Sequence, residues 1–129
     1  AWTTVQAQQV EIDSEGFETF TIAEGDTVYF MKKYHLVLLK AGTNRTQGEE
    51  ETMKIQAGHM AHIQKMADEG VLAMAGPMGD ESDLRGIFIF NLPTIEEVRE
   101  WVDKDPAIVS GRLTAEIHPW WSAKGTKLP

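Results

Sequence analysis

The sequence contains no cysteine, and this absence excludes several kinds of chemistry at once. Disulfide bonds, thiolate nucleophiles, iron–sulfur clusters and zinc sites built on cysteine all require a residue that the chain does not have. Long apolar runs are missing too. No stretch approaches the roughly 18 residues that a membrane-spanning helix needs, so we expect no contact with a membrane.

Basic residues are scarce. The chain has 12 Lys and Arg against 20 Asp and Glu, which gives a formal net charge of −8. A nucleic-acid surface needs clustered Lys and Arg to neutralise phosphates, so we expect no nucleic-acid partner. The chain starts at Ala1-Trp2 without a methionine. This start favours an exported or periplasmic protein, with its signal peptide removed, over a cytoplasmic one.

What remains is a chain of 129 residues whose composition is typical of one globular domain. Apolar periodicity and turn residues indicate alternating strands and helices. Gly70 is expected to end the first helix, and Thr94 to begin the second with Glu97 in a capping box. The predicted elements are a strand at 34–40, a helix at 49–69, strands at 71–77 and 87–92, a helix from 94, and a strand at 112–119.

This order predicts an α+β, ferredoxin-like βαββαβ protomer for residues 31–129. Residues 1–30 contain short alternating runs broken by glycine, which indicate a separate N-terminal β arm or hairpin. The helices of such a fold cover one face of the sheet, yet the first three predicted strands are apolar on both faces. We therefore expect a homodimer through the bare sheet faces, a dimeric α+β barrel. If the last strand turns its polar side there, Thr114, Glu116 and His118 would line a cleft between the sheets.

Two histidines lie in the first predicted helix. At 100° per residue, an apolar stripe that we expect to pack on the sheet contains Met53, Ala57, Met60, Ile63 and Ala67. A second stripe, roughly 100° away, consists of Ile55, His59, His62 and Met66. His59 lies at the edge of the buried face, and His62 lies further round, towards solvent or a partner. Gly58 costs about 1 kcal/mol in a helix relative to alanine. Either something needs to approach the backbone closely at Gly58, or the glycine is simply tolerated there.

His59 has three interpretations: a hydrogen-bonded histidine at a half-buried edge, a metal ligand, or a general acid/base. The spacing supplies no carboxylate ligand beside His59 and His62, and only residue type permits a site built on His35, His62 and His118. We predict no metal and no cofactor. A partner for His59 is Asp105, which precedes Pro106 and is also a helix cap by residue type. One carboxylate can do both, and spacing alone does not place it beside His59.

Several segments resemble the YciI-like (YCII-related) family of the dimeric α+β barrel superfamily. They are "GHMAHIQKMADEGVLAMAGPMGD", "RGIFIF", "EEVREWVDKDPAIVSGRL" and "EIHPWW", and the resemblance covers roughly residues 34–121. The markers occur in the family's order: a helix histidine, a glycine that ends the helix, a strand that ends in Gly-Pro, and an Asp-Pro after the second helix. In this chain they are His59, Gly70, Gly76-Pro77 and Asp105-Pro106.

The resemblance implies a sheet-to-sheet dimer and a catalytic His59–Asp105 pair in a hollow that both side chains enter. The chain departs from the family where an Arg-Pro pair often precedes the histidine, because Gln56-Ala57-Gly58 stands there. Arg85 could replace the missing positive charge. The expected substrate-binding residues are Gly76, Pro77, Arg85 and His118.

We therefore predict an enzyme of lyase, dehalogenase or isomerase type that acts on a small cyclic or aromatic molecule. The alternative is a non-catalytic ligand-binding or accessory module with the same fold. In that case Asp105 would only cap its own helix, and His59 would be enclosed. The adjacent Trp120 and Trp121 are expected to seal a dimer edge or the arm rather than to stack on a ligand.

Overall fold

The structure is a computed structural model that describes residues 9–129, so residues 1–8 of the predicted arm lie outside it. Among the described residues no helix combines the length and the apolar character needed to cross a membrane. The elements are β1 Glu11–Ile12, β2 Glu18–Glu24, β3 Thr27–Ala41, α1 Glu49–Asp68, β4 Leu72–Pro77, β5 Leu84–Phe90, α2 Ile95–Val102, α3 Pro106–Val109 and β6 Leu113–Ala123.

The strands form one antiparallel sheet with β3 at its centre. β6 pairs with one edge of β3, while β5 pairs with the other edge and carries β4 on its far side. The order β6-β3-β5-β4, with α1 and α2 in the crossovers, is that of a ferredoxin-like βαββαβ fold. The predicted α+β fold class is therefore confirmed.

The helix ends follow the predicted signals. The Thr94 hydroxyl oxygen accepts a hydrogen bond from the Glu97 N–H at 3.3 Å and donates to Glu97 Oε2 at 2.8 Å, so the two residues hold the first turn of α2. Gly70 has φ of +77°, a conformation that glycine adopts at little cost and that ends α1.

The N-terminal hairpin is continuous with the sheet. β2 pairs with the first part of β3 and β5 with its later part, so the predicted boundary between residues 30 and 31 falls inside a single strand. The ring of Phe20 in β2 lies 4.7 Å from that of Trp121 in β6, centroid to centroid. Lys32 Nζ lies 3.7 Å from the centre of the Phe17 ring. Trp121 of β6 therefore packs against the hairpin. Together with Lys32 of β3, it holds the hairpin against the end of the sheet.

The core lies between the helices and one face of the sheet. Alternate residues of the central strands point there, so paired positions such as Val37 and Phe88 share this face. Burial of a side chain of this size contributes about 1.5–3 kcal/mol. The buried cluster consists of Val37, Leu39, Met66, Leu72, Phe88, Phe90, Val98 and Val102.

The predicted buried stripe of α1 is wrong. Met53 and Met60 are 66% and 53% exposed, whereas His59 and Met66 are buried. The helix carries two apolar stripes about 100° apart, and periodicity alone does not choose between them. The sheet contacts the stripe centred on His59, so this residue lies in the buried face and not at its edge.

His62 also differs from expectation. Its Nε2 donates to the Trp101 carbonyl oxygen at 2.7 Å, and its ring lies 5.9 Å from the Trp101 ring. His62 therefore faces α2 and not solvent, because the rotation of α1 that buries His59 also turns His62 towards its neighbouring helix.

The opposite face of the sheet has no helix over it among residues 9–129. Strand register places half-buried Leu36 and Leu38 there, with the polar residues of β6 beside them. Glu116 accepts from Lys40 at 2.6 Å and lies 3.1 Å from His118. We call this surface the open face. Its apolar and aromatic residues are Tyr34, Leu36, Leu38, Met74, Ile87, Ile89 and Trp120.

Candidate active site

A buried hydrogen bond joins the first helix to the end of the second crossover. His59 Nδ1 donates to Asp105 Oδ2 at 2.7 Å, and both side chains are buried. A carboxylate can only accept, so Nδ1 carries the proton of this bond. In the neutral ring the other nitrogen, Nε2, then has a free lone pair. The described residues offer Nε2 no hydrogen-bond partner.

The carboxylate of Asp105 has a second role. Its Oδ1 accepts from the Ala107 N–H at 2.9 Å, and Pro106 occupies the first turn of α3, so Asp105 caps that helix. One carboxylate thus serves as helix cap and as histidine partner. The arrangement that favours a non-catalytic module, with Asp105 only capping its helix, is not found.

Gly58 allows the two helices to meet. A Cβ on residue 58 would lie 2.9 Å from Cγ of Pro106, closer than side-chain carbons approach one another. The residues that follow Gly58 and precede Pro106 are His59 and Asp105. The close approach that the mid-helix glycine predicted is therefore the contact that brings the pair together.

His59 lines an open cavity of about 540 Å³ between α1, α3 and the helix-covered face of the sheet. The imidazole stacks on Phe88 of β5, with ring centroids 6.2 Å apart and an interplanar angle of 27°. The lining is apolar around three arginines, one histidine and one glutamine. It consists of Leu39, Arg45, Ile55, Gln56, His59, Met60, Ile63, Ala75, Gly76, Pro77, Arg85, Gly86, Phe88, Ala107, Arg112 and Leu113.

Three of the predicted substrate-binding residues, Gly76, Pro77 and Arg85, line this cavity with His59. Asp105 lies behind the imidazole, where it holds the ring without lining the cavity. His118 does not line this cavity, and it lies on the sheet face that we expected for it, the one without helices. Its strand position pairs with Leu36, and the alternation of β6 turns it to the open face beside Glu116.

The cavity itself also lies on the other side of the sheet from the expected one. We expected His59 and Asp105 to enter a hollow between two protomers. Instead Phe88, the ring beneath His59, shares the helix-covered face with Val37, so the cavity is built within one protomer. The reason is that α1 buries its histidine stripe against the sheet.

Sequence reasoning missed Arg45 and Arg112. Arg45 Nη1 donates to the Arg112 carbonyl oxygen at 2.6 Å, and Arg112 Nη1 donates to Gln47 Oε1 at 3.0 Å. Burial lowers the pKa of Arg45, and the charges of Arg112 and Arg85 lower it further. The signal was available in the topology. Because the first and last core strands are antiparallel neighbours, residues after β3 and before β6 meet at one end of the sheet.

The three histidines of the possible metal site, His35, His62 and His118, lie apart in the structure. His35 Nδ1 donates to the Leu92 carbonyl oxygen at 3.0 Å, His62 faces α2, and His118 lies on the open face. Within residues 9–129 no group of three or more histidine and carboxylate side chains is arranged to hold a metal ion.

The fold and the site together define a class: small ferredoxin-like α+β proteins with a buried histidine–aspartate pair beside a cavity. Comparison with known families identifies the family. The family model described as the YCII-related domain matches residues 34–120, and the chain belongs to that family. The resemblance noted in the sequence is confirmed. No curated protein matches the chain.

Among solved structures, the chain is similar to 5-chloro-2-hydroxyhydroquinone dehydrochlorinase from Burkholderia phenoliruptrix AC1100, in complex with 2,5-dihydroxybenzoquinone. The identity is 20%, the match covers 67% of this chain and 92% of that chain, and the TM-score is 0.51. At this identity the similarity shows a shared fold.

Proposed function

We propose that this protein is an enzyme of lyase, dehalogenase or isomerase type that acts on a small cyclic or aromatic compound. His59 is its general acid/base, and Asp105 orients the imidazole. The observation that best supports this proposal is that the two nitrogens of the His59 imidazole have different surroundings. Nδ1 is committed to a buried carboxylate at 2.7 Å, and the ring lines a cavity with Nε2 left for a substrate.

The chemistry begins with proton transfer to His59 Nε2 from a carbon or oxygen acid of the bound ring. Return of that proton at another position completes an isomerisation. Departure of a leaving group with its electron pair, such as chloride, completes an elimination. In both cases the Asp105 carboxylate holds the tautomer and stabilises the imidazolium that forms. General acid/base catalysis of this kind contributes about 10²–10⁴-fold.

The cavity suits a molecule of one ring. Its volume of about 540 Å³ lies within the range of small-molecule pockets, and its walls are mainly apolar with a few polar groups. The similar structure from Burkholderia phenoliruptrix AC1100 is a dehydrochlorinase that binds a dihydroxybenzoquinone, a ligand of this size. That ligand supports a hydroxylated or halogenated ring as the starting point for a substrate search.

The test is turnover by a His59→Asn variant on compounds found by screening small hydroxylated and halogenated aromatics. We expect the rate to fall about 10²–10⁴-fold with the fold intact. His62→Asn is the matched control, because His62 lies on the same helix and faces Trp101 instead of the cavity. Full turnover by the His59 variant would refute the proposal.

A further inference from the structure

We propose that Arg45, Arg85 and Arg112 form a binding site for an oxyanion, so that the cavity takes an aromatic ring bearing a carboxylate or phosphate group. This inference deepens the proposed function, and it rests on that proposal for the claim that the occupant is a substrate. The anionic group would bind to the guanidinium groups, and the ring would lie along the apolar wall towards His59.

The three arginines come from separate parts of the chain and meet in one cavity. Arg45 lies in the loop between β3 and α1, Arg85 in β5, and Arg112 just before β6. A guanidinium presents five N–H donors in a planar fork that matches the oxygens of a carboxylate or phosphate. Three such groups around one cavity favour the binding of an anion over that of a neutral ring.

The positive charge in the cavity has no partner within the described chain. The cavity lining contains no Asp or Glu, and no carboxylate of residues 9–129 forms a salt bridge with any of the three arginines. Residues 1–8 contain no acidic residue either. These three unpaired guanidinium groups belong to a protein of net charge −8, so they are not part of a general excess of positive charge.

Repulsion among the arginines points the same way. The pKa of Arg45 is lowered first by burial and then by the charges of Arg112 and Arg85, so both neighbouring arginines repel the charge of Arg45. A bound oxyanion would offset this repulsion. The like charges around the cavity therefore favour an anionic occupant.

Hydrogen bonds hold two of the arginines in place before a ligand arrives. Arg45 donates to the Arg112 backbone, Arg112 donates to Gln47, and Asn44 Nδ2 ties the same loop to the Ser110 carbonyl oxygen at 2.9 Å. Each of these two guanidinium groups uses one donor in this way, which leaves the others for a ligand. A binding site ordered in advance loses less free energy on association.

The site would also serve the reaction. Removal of a proton by His59 leaves negative charge on the substrate, and fixed positive charge nearby stabilises that charge as it develops. The arginines would thus position the ring through its anionic substituent and lower the barrier to deprotonation.

Equilibrium binding tests the inference without a known reaction. Benzoate, phenyl phosphate and neutral benzamide are titrated into the protein by calorimetry or NMR at fixed ionic strength. We expect at least one of the two anions to bind at least tenfold more tightly than benzamide. Arg85→Gln, Arg45→Gln and Arg112→Gln should each raise the Kd of that anion about tenfold, the effect of losing a charge-assisted hydrogen bond.

Arg99→Gln is the matched control, because Arg99 is exposed on α2 outside the cavity. This variant should bind the anion with the same Kd as the wild type. Arg85 has no hydrogen bond to other described side chains, so its variant tests the site even if the two bonded arginines are needed for folding. The inference would be overturned if neither benzoate nor phenyl phosphate bound more tightly than benzamide, or if Arg85→Gln kept the wild-type affinity for the anion that binds.

Combining these titrations with the turnover assays separates this inference from the proposed function. Arginine-dependent anion binding in a protein that turns over no ring compound would support the anion site and refute the enzymatic proposal. Turnover of neutral rings that depends on His59 and is unaffected by Arg85→Gln would do the reverse.

Discussion

Pro106 lies against Gly58 so closely that a Cβ on residue 58 would come within 2.9 Å of the proline Cγ. The contact joins α1 to α3 one residue away from the catalytic candidates, because His59 follows Gly58 and Asp105 precedes Pro106. The separation of these two helices therefore controls the 2.7 Å hydrogen bond between His59 and Asp105.

Gly58→Ala should weaken this pair. Alanine improves helix propensity by about 1 kcal/mol, but overpacking against a rigid proline ring costs about 1–3 kcal/mol, so we expect a net loss of about 1 kcal/mol. Turnover should fall by more than this loss of stability explains, because α3 must move away from α1 and Asp105 moves with it. Urea unfolding and activity assays measure the two effects.

Ala57→Gly is the control for this experiment. Ala57 is exposed on the outer side of α1, so its replacement should cost about 1 kcal/mol of helix propensity and leave turnover unchanged. A Gly58→Ala protein that is more stable than the wild type and equally active would show that the proline contact does not set the pair.

Asp105→Asn and Asp105→Ala should separate the two roles of the carboxylate. Asparagine caps a helix about as well as aspartate, so Asp105→Asn should fold normally and lose about 10²–10⁴-fold in turnover. Asp105→Ala removes the cap and leaves His59 without its buried partner, which should cost about 2–4 kcal/mol. Denaturant unfolding and turnover are measured for both variants.

Nitrogen NMR adds a direct test of the orienting role of Asp105. Neutral His59 should carry its proton on Nδ1, as should His35, whereas His62 should carry it on Nε2 because it donates from that atom to Trp101. Asp105→Asn should change the spectrum of His59 alone. A neutral His59 ring in the wild type with its proton on Nε2 instead of Nδ1 would contradict the assigned geometry.

His35 should make stability depend on pH. Burial lowers its pKa more than the hydrogen bond to Leu92 raises it. Above about pH 6.5 the side chain is neutral in the folded and unfolded states, so it contributes no pH dependence there. As the pH falls through that value the unfolded chain binds a proton first, and the free energy of unfolding decreases.

The measurement compares the wild type with His35→Gln by urea unfolding at pH 7.5 and pH 5.5. The variant should be less stable at the higher pH, because it loses a buried contact, and the difference should narrow at the lower pH. Groups shared by the two proteins cancel in this difference. If the stability difference between the two proteins stays constant or widens at pH 5.5, His35 is not the source of the pH dependence.

We propose that the open face forms the homodimer expected from the sequence. Leu36→Glu would put a charge at the centre of that face, between Ile89 and His118 in the strand register. Sedimentation should then report a monomer at concentrations where the wild type is a dimer. Met53→Glu places the same charge on the exposed side of α1 and should leave the dimer intact. A monomeric wild type would refute this proposal.

Local signals in the sequence determined much of the fold. The element order, the Thr94 cap and the end of α1 at Gly70 follow from contacts between residues a few positions apart, so a short window of sequence contains the information. Gly58 also signalled a close approach without naming what approaches. Family motifs then selected His59 and Asp105 from the chain's histidines and carboxylates.

Tertiary packing decided what local patterns left open. α1 has two apolar stripes of similar quality, and only contact with the sheet selected the one that buries His59. The same choice moved the cavity to the helix-covered face and left His118 outside it. His59 and Asp105 are 46 residues apart, and Arg45 and Arg112 are 67 apart. No periodicity spans such separations, because side chains that distant meet only when strands and helices pack.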